Sequence, residues 1–156
     1  MKIKGINFED FVNYKKPSMF IAFPNCSFKC DKECGRAICQ NSALAKEKTI
    51  EISIHSVVER YRNNRITQAV VLGGLEPFDD WEQVQNFINL FRFWSEDDIV
   101  IYTGYKEEEL TEKINWLKRY KNIIIKFGRF IPDQEDHFDE VLGIKLSSPN
   151  QYARKL

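Results

Sequence analysis

Four continuous apolar runs divide the chain at regular intervals. They occupy residues 18–23 (SMFIAF), 68–74 (QAVVLGG), 98–103 (DIVIYT) and 122–127 (NIIIKF). Short apolar runs bounded by turn residues are typical of strands that are buried on both faces, as the strands of parallel sheets are. The pattern therefore predicts four buried strands at these positions.

Segments with a helical repeat of apolar residues lie between these runs. Helices are predicted for residues 55–64, from Asp79 or Asp80 to about Phe93, and for about 106–120. The second repeats apolar residues every three or four positions from Val84 to Phe91, as an amphipathic helix does. The third begins with glutamates and ends with basic residues, which suits the helix dipole. Residues 49–54 are expected to be extended, and residues 141–146 are expected to form a further strand.

This alternation of strand and helix predicts an α/β fold built from right-handed β-α-β units around a mainly parallel sheet. The 156 residues are the length of one domain, 1–156, and are too few for a complete eight-stranded barrel of about 250 residues. We therefore expect a partial, truncated β/α barrel. Ligands of such folds bind at the carboxyl ends of the strands, where Gly73–Gly74, Thr103–Tyr105 and Gly128–Arg129 are expected to converge.

Composition and charge narrow the class of protein. Hydrophobic residues make up 43% of the chain and charged residues 29%, as in ordinary globular proteins. Lys and Arg number 23, as do Asp and Glu, so no global attraction to nucleic acid or to an anionic membrane is expected. No apolar stretch approaches the roughly 18 residues of a membrane helix, and the start MKIKGINFED lacks the apolar core of a signal peptide. We expect a cytoplasmic protein that binds neither nucleic acid nor a membrane.

The cysteines carry the strongest chemical signal. All four lie in one short segment, at Cys26, Cys30, Cys34 and Cys39. Disulfides among them would close only small local loops, where the entropic gain is small. Thiols gathered on one loop are typical ligands of zinc or of an iron–sulfur cluster. Zinc sites usually place two cysteine pairs far apart in sequence, so a closed zinc site is the less favoured alternative. Interleaved basic residues, Lys29, Lys32 and Arg36, are expected to favour thiolates.

Five short motifs occur along the chain in a recognisable order. Cys26-x3-Cys30 matches the first half of a C-x3-C-x2-C cluster loop, and Cys39-Gln40-Asn41 resembles the C-(Y/F)-N that ends it. The others are GGLEP at 73–77, YTGY at 102–105 followed by Glu109-Leu110, GRFI at 128–131 and SSPNQ at 147–151. Together they resemble the radical S-adenosyl-L-methionine (radical SAM) superfamily, and more narrowly the activating proteins of anaerobic ribonucleotide reductase.

The resemblance implies a specific chemistry. Three thiolates would hold a 4Fe–4S cluster with one open iron, and S-adenosyl-L-methionine (SAM) would occupy that iron. An electron from a low-potential donor such as a flavodoxin or ferredoxin would break the sulfonium bond, giving methionine and a 5′-deoxyadenosyl radical. The radical would take a hydrogen atom from a backbone glycine of the partner, a glycyl-radical reductase. No catalytic residue beyond the cluster is implied.

The same resemblance assigns residues to SAM. These are Ile38, Asn41, Gly73, Gly74, Glu76, Thr103 and Tyr105. The glycines and Glu76 would approach the methionine amino group, and Thr103 and Tyr105 would lie near the ribose or adenine. From the residues alone, the glycines also suit a plain turn after a strand, and Glu76 a solvated loop.

The third cysteine ligand is left open by the spacing. Family spacing would place it at position 33, which is Glu33, so the ligand is Cys34 or Cys39. We favour Cys39, because Ile38 supplies the apolar residue that usually precedes the last cysteine of the family loop. If all four cysteines bind, no iron is open and the chain is a non-catalytic iron–sulfur or zinc protein. A radical SAM enzyme that acts on a small molecule is the other alternative.

Overall fold

A computed structural model describes the whole chain, residues 1–156. The strands are β1 (Lys2–Ile3), β2 (Gly5–Asp10), β3 (Ser18–Phe23), β4 (Ile50–Glu51), β5 (Ala69–Gly74), β6 (Asp98–Tyr102), β7 (Ile123–Phe127), β8 (His137–Asp139), β9 (Ile144–Leu146) and β10 (Tyr152–Lys155). The helices are α1 (Lys29–Cys34), α2 (Ser42–Lys46), α3 (Ile54–Asn63), α4 (Trp81–Trp94) and α5 (Thr111–Leu117), and the last two follow single 3-10 turns. None of these helices combines the length and the apolar character needed to cross a membrane.

Six strands form the central sheet in the order β10-β7-β6-β5-β3-β2. The four inner strands are parallel. The two edge strands, β2 and β10, are antiparallel to their neighbours. The predicted α/β class with a mainly parallel sheet is therefore confirmed.

The order of the strands in the sheet is also their order along the chain. Right-handed crossovers that all step in one direction place the connecting helices on one face of a sheet. The larger hydrophobic cluster, of 22 buried residues, includes side chains of α3, α4 and α5. The smaller cluster, of 8 buried residues, contains no helix residue. One face of the sheet is therefore covered by helices and the other by loops; a partial barrel stays our interpretation of this order.

Two predicted extended segments differ from the structure. Of residues 141–146 only β9 is a strand, and it pairs with β8 in a separate hairpin instead of joining the central sheet. The Asp139 carboxylate accepts a hydrogen bond from the Leu142 N–H at 2.8 Å, which turns the chain where the apolar run suggested an extended backbone. Of residues 49–54 only β4 pairs, with β1, and Ile54 already begins α3.

The carboxyl ends of the inner strands lie along one edge of the sheet. Phe23 at the end of β3 is paired in register with Gly74 at the end of β5, and Tyr102 at the end of β6 with Lys126. The cysteine-bearing segment leaves the sheet at this edge, since Cys26 follows β3 directly. The topology thus brings the candidate segments together.

Candidate metal centre

A cavity of about 540 Å³ opens at the carboxyl ends of the parallel strands. Its wall includes Phe20 and Tyr102, whose side chains pack against the smaller hydrophobic cluster, so it lies on the face without helices. Cavities of this size and position are typical of cofactor sites in α/β proteins. The site residues predicted from the sequence that line it are Cys26, Cys30, Cys39, Asn41, Gly74, Glu76 and Thr103.

The cysteine-bearing segment folds back over this cavity. Helix α1 carries Cys30 and ends at Gly35, which adopts a left-handed conformation with φ of 69°. The chain then returns, so that Cys39 reaches the cavity wall together with Cys26 and Cys30. Cys34 is exposed and does not line the cavity. Three of the four thiols therefore face one space, as a ligand set of Cys26, Cys30 and Cys39 requires.

The start of this segment is held by the 3-10 turn that precedes α4. The Asp79 carboxylate accepts a hydrogen bond from the backbone N–H of Ser27 at 2.5 Å. The Glu76 N–H donates to the Asn25 carbonyl oxygen at 2.8 Å. Cys26 lies between these two fixed points, so its position relative to the sheet is set by backbone hydrogen bonds.

Cys26 and Cys30 are half-buried, and their pKa values lie above the ordinary value of a thiol. Burial raises the pKa of Cys26 to about 12 and also raises the pKa of Cys30. The backbone N–H of Phe28 donates to Cys26 Sγ at 3.2 Å. The positive charges that lower the pKa of Cys30 belong to Arg129 and Lys126, and burial outweighs them.

Two basic residues of the segment itself, Lys29 and Arg36, pair with carboxylates. The Lys29 ammonium pairs with Glu109 at 2.9 Å, and Arg36 pairs with the exposed Asp133 at 3.1 Å. The expectation that basic residues of the loop favour thiolates is therefore wrong for Cys26 and Cys30, because desolvation is the larger effect there.

The chemistry of this donor set suits an iron–sulfur cluster, since thiolates are soft ligands. No group of three or more His, Cys, Asp or Glu side chains is spaced to hold one metal ion. In a 4Fe–4S cluster each thiolate holds a different iron, so the thiols stand further apart than around one zinc ion. Three thiols on the cavity wall would leave one iron without a protein thiolate. Because ligating thiols must be deprotonated, cluster binding would release their protons.

Glu76 is a buried carboxylate in the cavity wall and not a solvated loop residue. It is 5% exposed. Its Oε1 accepts hydrogen bonds from the Phe78 N–H at 3.1 Å and from the Thr103 hydroxyl at 2.8 Å. Its Oε2 accepts one hydrogen bond, from the Gly104 N–H at 2.8 Å. Burial outweighs these donors and raises the pKa of Glu76 to about 7, so this carboxyl group changes charge near neutrality.

Of the two residues predicted to lie near the ribose or adenine, only one lines the cavity. Thr103 lines the cavity, but its hydroxyl is used within the protein, since it donates to Glu76 and accepts from the Tyr105 N–H at 2.9 Å. Tyr105 does not line the cavity, because its ring packs against the larger cluster and its hydroxyl donates to Asp79 at 2.5 Å. The structure therefore brings Thr103, and not Tyr105, to the other site residues.

Of the remaining predicted residues, two line the cavity and two do not. Asn41 lines the cavity and its side-chain amide donates to the Gly74 carbonyl oxygen at 2.5 Å. Gly74 has φ of 82°, and a Cβ there would lie 2.7 Å from the Ala22 Cα, so glycine is required by packing as well as by the turn. Gly73 and Ile38 do not line the cavity.

Lys126 is a residue of the cavity wall that sequence reasoning missed. It is 7% exposed, and its ammonium donates a hydrogen bond to the Gly128 carbonyl oxygen at 3.2 Å. Burial lowers its pKa to about 8. The signal was present, because Lys126 is the only charged residue in the apolar run NIIIKF. A charge in the middle of a buried strand suggests a functional site.

An ion-pair network ties the cysteine-bearing segment to the end of β7. Arg129 is 5% exposed and binds the Glu109 carboxylate through two hydrogen bonds of 2.8 Å each. Its Nε lies 2.9 Å from Glu33 Oε1 on α1. Hydrogen bonds from Arg129 and from Lys29 lower the pKa of Glu109 to about 2. Glu33, at the position where family spacing expects a cysteine, is thus directed toward Arg129.

The fold and the cavity together define an α/β protein with a thiol-lined cofactor site at the carboxyl ends of its parallel strands. The chain belongs to the 4Fe-4S single cluster domain family: residues 17–152, from the start of β3 to the first residue of β10, match the sequence model of that family. Searches among curated proteins and among solved structures gave no match. The chain is therefore a 4Fe–4S cluster-binding protein, and the identity of the ligating cysteines stays a prediction.

Proposed function

We propose that the protein is a radical SAM activase that generates a radical on a glycine of a partner such as anaerobic ribonucleotide reductase. The observation that carries this proposal is that three of the four cysteines, and not all four, line one open cavity. A cluster held by Cys26, Cys30 and Cys39 leaves one iron for a second ligand, whereas an electron-transfer or structural cluster uses four protein ligands. The cavity of about 540 Å³ has the volume of ordinary cofactor sites.

The bound cofactors would supply the hard chemistry. One electron from a low-potential donor, a flavodoxin or ferredoxin, would cleave the sulfonium bond of SAM, and the resulting carbon radical would take a hydrogen atom from the partner's glycine. The protein's own residues would bind and orient these groups. Glu76 Oε2 accepts one hydrogen bond within the protein, so it retains an acceptor position for the cationic amino group of SAM.

Positive charge near Cys30 also suits an anionic cluster. Lys126 and Arg129 are both buried and act on Cys30 electrostatically. Such fixed positive charges offset the negative charge that accumulates when thiolates bind iron and the cluster is reduced. The face of the sheet without helices, on which the cavity lies, would admit a glycine-bearing loop of a large partner.

The test compares two cysteine variants after anaerobic reconstitution. We expect the wild-type protein and Cys34→Ala to bind about four irons and to release 5′-deoxyadenosine from SAM under strong reductant. Cys39→Ala should lose both properties, because the cluster would lack its third thiolate. Iron analysis and chromatography of the products measure the two outcomes.

Electron paramagnetic resonance separates the alternatives. The spectrum of the reduced cluster should change when SAM is added, because only a cluster with an open iron can bind it. A full cluster without this change and without 5′-deoxyadenosine contradicts the enzymatic proposal and favours a four-cysteine cluster. SAM cleavage that never yields a glycyl radical on a reductase partner favours an enzyme acting on a small molecule.

A further inference from the structure

The cysteine-bearing segment contains a carboxylate that the cluster motif does not require. Asp31 lies on α1, directly after Cys30. Its Oδ1 accepts hydrogen bonds from two consecutive backbone N–H groups, those of Ile38 and Cys39, both at 2.9 Å. One oxygen atom thus fixes the backbone at Cys39 to the residue that adjoins Cys30.

These hydrogen bonds compensate for the long spacing between the second and third cysteines on the cavity wall. Eight residues separate Cys30 from Cys39, where the related motif has two. Five of the intervening positions, 31–35, form the rest of α1 and the turn at Gly35, and α1 contains no buried residue. Hydrophobic packing therefore contributes little to the position of Cys39, and polar contacts must supply it.

We propose that Asp31 is the positioning residue that brings Cys39 to the cavity as the third cluster ligand. The inference rests on the three-cysteine ligand set of the proposed function, and it concerns how that set is assembled in this chain. Without the Asp31 carboxylate, the backbone N–H groups of Ile38 and Cys39 turn to water and the segment is free to move. Cys39 then leaves the cavity wall, and Cys34 competes for the open position.

The first test uses the cluster-free protein, so it is independent of SAM chemistry. Cys39 is half-buried, and its alkylation by iodoacetamide under reducing conditions, followed by mass spectrometry of peptides, measures its accessibility. Asp31→Ala should make Cys39 react about tenfold faster and leave the rate at Cys26 unchanged. Asp31→Asn retains an oxygen acceptor and should react at nearly the wild-type rate.

The matched control is Asp133→Ala. Asp133 is also a carboxylate that contacts the chain between α1 and Cys39, but it does so through the exposed side chain of Arg36 at 3.1 Å. It should leave the alkylation of Cys39 unchanged. Equal acceleration in Asp133→Ala, or equal acceleration in Asp31→Asn and Asp31→Ala, would overturn the assignment, since neither result depends on the acceptor at Asp31.

The second test follows the cluster itself. Iron release to a chelator from reconstituted Asp31→Ala should be about 10- to 100-fold faster than from wild type, the usual cost of losing a residue that orients a metal ligand. Adding Cys34→Ala to Asp31→Ala should lower the iron content further, because Cys34 can no longer substitute. Unchanged release from Asp31→Ala would overturn the inference. Absence of SAM cleavage with these iron results intact would contradict only the proposed enzyme activity.

Discussion

Gly104 lies close to the thiol of Cys30. A Cβ at this position would lie 3.3 Å from Cys30 Sγ, closer than an ordinary van der Waals contact. We expect Gly104→Ala to displace the thiol and to lower the iron content of the reconstituted protein. The free energy of unfolding should fall by only about 1 kcal/mol, because a side-chain tip can move aside at the low end of the cost of overpacking.

The control for this variant is Gly5→Ala, since a Cβ at Gly5 meets nothing within 4 Å. Iron content and urea unfolding, measured on both variants, separate the site from the fold. Full iron content in Gly104→Ala would show that Cys30 does not need this space.

Glu76 should make the stability of the cluster-free protein depend on pH. Burial raises its pKa from 4.5 to about 7, so the folded state binds the proton more tightly than the unfolded state. Stability from this group is fully present below pH 4.5 and decreases as the pH rises to about 7, by about 3 kcal/mol in total. Glu76→Gln removes this titration.

Urea unfolding of both proteins at pH 5 and pH 8 measures the effect. Between these values the wild-type protein should lose about 2 kcal/mol relative to Glu76→Gln. Because other carboxylates such as Glu109 titrate equally in both proteins, the difference isolates Glu76. Parallel pH profiles would contradict the buried, high-pKa state.

At the scale of elements, helix α1 in the cysteine-bearing segment and helix α2 directly after it are the least anchored. Neither α1 nor α2 contains a buried residue, whereas five of the six residues of β5 are buried. In the cluster-free protein we expect amides of residues 29–46 to exchange hydrogen at least about 1000-fold faster than those of β5, which open only on global unfolding. Cluster binding should slow exchange in residues 29–41, because the cluster binds only the folded segment.

Hydrogen exchange followed by mass spectrometry measures this contrast with and without cluster. Peptides from β5 and β6 serve as the internal control, since they should be unaffected by loading. Strong protection of residues 29–46 in the cluster-free protein would contradict the prediction that these helices open easily.

The elements that could be predicted are those whose burial is complete. The strand predicted at 18–23 has these bounds in the structure, and the other three inner strands begin or end within one residue of their predicted limits. Both faces of these strands are apolar, so their signal does not depend on tertiary context. The edge strands β2 and β10 were missed because they are short and only one residue of each is buried, so neither leaves a clear apolar pattern. Helix α1 was missed because its contacts are made by distant charges, among them Arg129.

At the scale of the whole molecule, the convergence of the site was predictable from the topology. Parallel strands end at one edge, so residues after β3, β5 and β6 had to meet there. The direction of individual side chains was not predictable. Thr103 and Tyr105 are two residues apart, yet the Tyr105 hydroxyl donates a hydrogen bond to Asp79, whereas the Thr103 hydroxyl donates to Glu76. The role of Asp31 depends on a hydrogen-bonded return of the chain that no local pattern indicates.

The neutral state of the Cys26 thiol has a consequence for the protein before it receives its cluster. Thiolates, not thiols, react with oxidants and electrophiles, and burial keeps the pKa of Cys26 at about 12. The Cys26 thiol of the cluster-free chain should therefore react slowly with oxidants. Incoming iron must displace the protons, so alkaline conditions favour maturation. The desolvation of Cys26 thus has two effects: it makes loading harder, and it lowers the reactivity of this thiol before the cluster is bound.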